Sequence, residues 1–193
     1  MKCVQCGKRK AAVFLAHLNH VCLNCAVHLI EKRIRKYVRM NRLIQRNDII
    51  WTTDALAEKI TKGIVQDMPV KWLKRKEKVE NILGMTKKVK ECIKKNRIQK
   101  IIIPWTADDE AAAFLKRALE NSPRKEMDRR IVPLLVRVTD QEAAILSKYH
   151  KAAFSPNKGN EEIKSMLDRM EERYPETKFS LLKSAEKIRE LGL

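Results

Sequence analysis

Ile98-Gln99-Lys100-Ile101-Ile102-Ile103-Pro104-Trp105 runs into Thr106-Ala107-Asp108-Asp109 and then into an alanine-rich segment, Glu110 to Glu120. The unbroken isoleucine run fits a parallel strand buried on both faces, because a strand with one wet face would alternate apolar and polar residues. Asp108 and Asp109 suit the opening turn of the following helix, where carboxylates accept free backbone N–H groups and complement the helix dipole. A buried strand feeding a helix is the repeating unit of an α/β sheet.

The same unit recurs on either side. Asp48-Ile49-Ile50-Trp51-Thr52 reads as a short buried strand, and Asp54 caps a helix through about Asp67, ended by Pro69. Val70 to Leu83 is dense in lysine and reads as a helix whose weak apolar face is Trp72, Leu73, Val79 and Ile82, closed by Gly84. Thr86 then caps a second basic helix to about Asn96. Downstream, Arg130-Ile131-Val132-Pro133-Leu134-Leu135 is a third strand, and Thr139-x-x-Glu142 is a capping box for a helix to about His150. Ala153 to Gly159 reads as loop. Helices follow near Asn160 to Tyr174 and Thr177 to Leu191, separated by Pro175. The expected fold class is therefore α/β, a small parallel sheet of three or four strands with flanking helices.

The N-terminus carries different chemistry. Cys3-Val4-Gln5-Cys6 is followed, fifteen residues later, by Cys22-Leu23-Asn24-Cys25. Two such pairs supply four thiolates from two tight turns, which is what a tetrahedral structural zinc site needs. Gly7 suits the left-handed backbone after the first pair. The same thiolates also fit an iron–sulfur cluster, and reduced buried cysteines or two disulfides are the plainer readings. His17, His20 and His28 are neighbours rather than ligands, since four cysteines complete a site. Cys92, the fifth cysteine, reads as a packing residue on a helix.

Charge is unevenly spread. The chain of 193 residues has 42 Lys+Arg against 24 Asp+Glu, a net charge of +18. Residues 1–46 hold 11 basic and 1 acidic residue, and residues 71–100 hold 12 and 3, whereas residues 101–193 hold 17 and 16. Two cationic blocks on an otherwise balanced chain point to a polyanion, because neutralised phosphates release counterions. The first block forms one amphipathic helix, Val27 to Arg46, with Val27, Ile30, Ile34, Val38 and Ile44 inward and Arg33, Arg35, Lys36, Arg39 and Arg42 outward. No Trp or Phe sits on its apolar face, so a membrane-surface helix fits less well. The second block adds Lys74, Arg75, Lys76, Lys87 and Lys88, with Trp72 as the aromatic available to stack on a base. Three regions result: a zinc-binding module at 1–26, a basic linking helix at 27–46, and an α/β domain at 47–193. No apolar stretch is long enough to span a membrane. Cysteines stand where a signal peptide would need an apolar run, so a cytoplasmic protein is expected.

The chain resembles the tRNA 2-thiouridine synthetases, PP-loop ATP pyrophosphatases that adenylate a uridine and replace its oxygen with sulfur. The resemblance rests on the paired Cys-x-x-Cys, the basic helix, Ala107-Asp108-Asp109-Glu110, and Arg130-Ile131-Val132-Pro133-Leu134. Met166 to Pro175 and Lys178-Phe179-Ser180-Leu181-Leu182-Lys183-Ser184 complete it. It implies an adenine-nucleotide-hydrolase-like sheet and an RNA partner. The departures decide the activity. The family's Ser-Gly-Gly-Lys-Asp-Ser phosphate loop is here Thr52-Thr53-Asp54-Ala55-Leu56, with no glycine before Gly63. Its Gly-His-Asn element is Pro104-Trp105-Thr106, and no cysteine stands in the loop near Ala153-Phe154-Ser155-Pro156. The segment between the first two strands also looks one strand–helix unit short. The expectation is a non-catalytic relative that keeps a zinc module and an RNA-binding surface, with structural zinc and without ATP. It would act on tRNA or another structured RNA, with an active thiolation homologue or a sulfur-carrier protein as a further partner. Two alternatives remain: an enzyme with a site rebuilt from Trp105, Asp108 and Asp109, and a zinc-containing protein–protein adaptor.

Overall fold

The computed structural model describes residues 1–15, 19–74, 77–122 and 127–191. His17, Arg75 and Lys76 lie outside the described residues.

A two-stranded antiparallel hairpin, β1 (Val13–Leu15) and β2 (Asn19–Val21), leads into α1 (Leu23–Met40). The chain then alternates through β3 (Ile49–Thr52), α2 (Ala55–Ile64), β4 (Lys71–Lys74), α3 (Val79–Leu83), α4 (Lys87–Asn96), β5 (Lys100–Thr106), α5 (Ala107–Glu120), β6 (Ile131–Leu135) and α6 (Asp140–His150). Helices α7 (Glu161–Arg173) and α8 (Thr177–Glu190) complete it. The main sheet has four parallel strands in the order β4-β3-β5-β6.

Alternation of side chains across the pleat builds two cores from one strand. Ile102 joins Ile50 in a cluster with Ile30, Ile34, Leu56, Ile60 and Leu146, so α1, α2 and α6 cover one face. Ile101 and Ile103 join Trp51 in a second cluster with Ile82, Val89, Cys92, Ile93 and Leu182 on the other face. Burial on both faces is what the isoleucine run required. Pro133 lies opposite Ile103 in β6, which is an edge strand and can spare the missing N–H.

Two expectations are corrected. The segment 70–83 is not a single helix: Lys71-Trp72-Leu73-Lys74 is an edge strand, and only Val79–Leu83 is helical. This strand restores part of the segment that looked too short. The basic helix begins at Leu23 and ends at Met40, so it contains Cys25 and stops short of Arg42. Cys3, Leu15, Val21 and Cys22 belong to the same apolar cluster as α1 and the sheet, so the cysteine module shares the main core. Among the described residues, no helix is long and apolar enough to cross a membrane.

Candidate functional site

Four thiols converge at the N-terminus. Cys3 lies in a tight turn in which the Gly7 N–H donates to the Cys3 carbonyl, and Gly7 takes φ +64°, the left-handed backbone expected there. Cys22 caps α1 and Cys25 lies in its first turn, which carries the second pair to the first across the β1–β2 hairpin. All four Sγ atoms lie within 4.8 Å of one another, and Cys6 Sγ stands 3.9 Å from Cys22 Sγ. Cys3 and Cys22 are buried, and no disulfide joins any of the five cysteines. This group can hold a metal ion.

The thiols are electrostatically unequal. Burial works against ionisation of Cys3, yet the Cys22, Cys6 and Gln5 backbones and the Cys6 thiol outweigh it and hold the pKa at about 6. The Cys22 side chain, burial and the Cys6 and Cys3 side chains push Cys25 up to about 12. Crowded thiolates repel, and a cation at their centre relieves that repulsion. Cys92 sits buried in the second apolar cluster, with its sulfur 3.6 Å from Asn96 Nδ2.

The second place to expect chemistry is the crevice at the C-terminal ends of β3 and β5. The chain leaves β3 toward β4 on one side and β5 toward β6 on the other, and open α/β sheets bind ligands where the direction reverses. An anion there would need the free N–H groups at the α2 N-terminus. Two of them are already used: Asp54 accepts from the Ala57 N–H at 2.9 Å, and the Leu56 N–H donates to the Ala153 carbonyl at 3.3 Å. Burial pushes the Asp54 carboxyl above its usual range, against the Ala57 and Leu56 N–H groups that favour its charged form.

Across the crevice, the Thr106-Ala107-Asp108-Asp109 turn is closed from above. Thr106 and Asp109 form a capping box, and Asp109 is additionally paired with Lys164 of α7. Asp108 accepts from the Asp140 N–H at 2.9 Å and is paired with Lys178 of α8, which also bonds Asp168. Lys164 reaches Asp140 Oδ2 at 3.2 Å and the Asn157 carbonyl at 3.1 Å. Burial opposes the charge on Lys164, but Asp109 and Asp140 outweigh it and raise its pKa. Lys178 behaves likewise: burial opposes, Asp108 and Asp168 prevail. Trp105 Nε1 donates to Glu110 at 2.9 Å. Two lysine ammonium groups thus stand against the two carboxylates. Nothing in the sequence pattern marked Lys164 and Lys178 as their partners. Lys178 stood in the family-like C-terminal segment, and only the packing of α7 and α8 on α5 reveals the pairing.

The expected cationic residues divide sharply. Arg33 faces α6, making a bidentate contact with Glu142 (2.8 and 3.1 Å), a bond to the Arg137 carbonyl and a stack on Phe179. Arg35 pairs with Glu31 at 3.2 Å, Lys74 with Glu58 at 3.0 Å and Lys88 with Glu77 at 3.4 Å. Trp72 is half-buried, with the Lys62 ammonium 5.5 Å from its ring centre. Lys36, Arg39, Arg42 and Lys87 are exposed. His150, which had no evident partner in sequence, bonds Glu31 at 2.8 Å.

No family model matches this sequence, and no curated protein sequence does. The chain is similar in structure to the U34-tRNA thiolase NcsA from Methanococcus maripaludis with its [4Fe-4S] cluster. The TM-score is 0.74, over 98% of this chain and 87% of that one, at 14% identity. The likeness at that identity is one of fold: this is a tRNA-thiolase-like α/β fold carrying an N-terminal four-cysteine group able to bind a metal.

Proposed function

We propose that this protein is a non-catalytic RNA-binding relative of the tRNA thiolases, working on tRNA as a binding subunit or regulator of its modification. The observation that carries the reading is the crevice at the ends of β3 and β5. Lys164 and Lys178 neutralise Asp109 and Asp108, and the Ala153 carbonyl takes a helix N-terminal N–H that a phosphate would need. The fold is that of a protein acting on tRNA, and the uneven positive charge supplies the attraction to a polyanion. The metal in this reading is structural zinc. Thiolates about 3.8 Å apart surround one tetrahedral zinc, close to the 3.9 Å between Cys6 and Cys22 sulfurs, whereas a four-iron cluster holds each thiolate on a separate iron and spreads them further.

Calorimetric titration with ATP and magnesium, with and without tRNA, tests the reading. A flat ATP titration beside measurable tRNA binding supports it. ATP hydrolysis that depends on tRNA, by the purified protein alone, would overturn it.

A further inference from the structure

All four strands of the main sheet are parallel, so the segments that enter them meet at one end of the molecule, opposite the crevice. Three of those four segments are rich in basic residues, while the one entering β4, Val65 to Val70, carries Asp67 and no basic residue. Helix α1 hands over to β3 through Arg42 and Arg46, α4 to β5 through Lys94, Lys95 and Arg97, and β6 is preceded by Arg129 and Arg130. Between Asn81 and Ala107 there are seven basic residues and one acidic one, Glu91.

An open groove of about 400 Å³ runs across this end, lined by Lys90, Lys94, Arg97, Gln99 and Arg130 over a floor of Ile93 and Ile98. Arg130 is held in place by two bonds to Asp128, at 2.9 and 2.7 Å, so one wall is fixed. Lys90, Lys94 and Arg97 are exposed, and among the described residues no carboxylate lies within ion-pairing distance of them. They differ in this from Arg33, Arg35, Lys74 and Lys88, whose charges are matched inside the protein. Lys90 and Lys94 lie four residues apart on one face of α4, about 6 Å along it at the helical rise, and Arg97 follows as its C-cap. Arg97, at the helix end, takes the left-handed conformation, φ 51°.

We propose that this groove grips the phosphodiester backbone of the RNA, at the end of the sheet remote from the crevice. The proposal rests on the RNA-binding reading above. A row of unmatched cations beside an ordered arginine, with few aromatics to read bases, fits a backbone and not a sequence. Held there, an RNA would be retained with no contribution from the crevice.

The test is tRNA binding by the full chain and by Lys90→Gln/Lys94→Gln/Arg97→Gln, against Lys148→Gln/Lys151→Gln/Lys183→Gln, which removes equal charge from exposed sites elsewhere. Removing three phosphate contacts lowers the magnitude of the log K against log salt slope by about 2–3. With about six contacts in the unaltered protein, its loss of affinity from roughly 50 to 200 mM salt, on the order of 10³-fold, falls to roughly 40-fold in the groove variant. The matched-charge variant keeps the larger dependence. If the unaltered protein fails to bind tRNA, the RNA reading itself is wrong and the groove goes with it. If it binds and the two triple variants weaken equally, the groove alone is refuted. Vesicles of phosphatidylcholine with one-third phosphatidylserine distinguish a membrane: loss of vesicle binding in the groove variant, with tRNA binding intact, also overturns the proposal.

Discussion

Lys164 on α7 is ion-paired with Asp109 at the third position of α5, a residue that also closes the helix's capping box with Thr106. One carboxylate thereby ends a strand, starts a helix and holds the C-terminal helices down. Lys178 does the same from α8 onto Asp108. Both carboxylates thereby tie α7 and α8 to the start of α5.

Lys164→Met leaves Asp109 buried without its countercharge. Removing one member of a buried pair costs about 3–5 kcal/mol, because the remaining charge is uncompensated. Asp109→Asn/Lys164→Met should recover most of that loss, since asparagine can still accept from the Thr106 N–H. Denaturant unfolding of the three proteins measures this, and equal stability of the single and double variants would contradict the pairing argument.

The pH dependence follows from the same lysines. Lys164 and Lys178 have raised pKa values in the folded protein, so they bind protons more tightly folded than unfolded. Their stabilisation is complete below the unfolded lysine value of about 10.4 and is lost as pH rises through the folded values. Asp109, pushed up chiefly by burial despite Lys164, acts in the opposite sense: its ionisation above the ordinary carboxylate range costs stability. Denaturation midpoints should be level from about pH 7 to 9 and fall beyond about 10.5, with a smaller alkaline fall in Lys178→Met.

Cys22→Ser should release the metal and loosen more than the hairpin. Cys3 and Cys22 pack in the same cluster as α1 and the sheet, so the site and the main core share residues. Elemental analysis should give one zinc per unaltered chain and a substoichiometric content in the variant, with a lowered melting temperature. Iron with acid-labile sulfide in place of zinc would contradict the proposed metal. Gly7→Ala has nothing within 4 Å of the new Cβ, so its cost, about 1 kcal/mol, would come from the positive φ alone.

Much of this architecture was legible in the residues. The Ile101-Ile102-Ile103 run, the Thr139–Glu142 capping box and the Asp54 cap are local signals, and each formed as read. Strand β4 was not legible, because its outer residues are lysines and its middle ones are only half-buried, the pattern of a protected sheet edge that lysine density disguises as helix. Thr86 sits at the start of α4 as expected, yet its side chain makes no capping bond. The four cysteines were readable from spacing, whereas the lysines over Asp108 and Asp109 were not. Their pairing spans 55 and 70 residues of chain, and no periodic pattern encodes it. Charge pairing was not legible either: a sequence shows charge, and only the fold shows which charges, such as those of Arg33 and Lys74, are matched within the protein.

Asp54→Ala is expected to cost about 1 kcal/mol through loss of the α2 cap. It should not create ATP binding, since the Leu56 N–H remains committed to Ala153 and no glycine loop replaces Thr52 to Ala55. Calorimetric ATP binding by this variant would show that the crevice is closed by one carboxylate alone.

The most direct test of the whole account is binding of the unaltered protein to bulk tRNA and to equal-length duplex DNA, at roughly 50 and 200 mM salt. The account predicts preference for tRNA and, for about six phosphate contacts, weakening on the order of 10³-fold across that range. Equal affinity for tRNA and DNA would reduce the basic blocks to a general cationic surface, and no binding to tRNA at 50 mM salt would contradict the account outright.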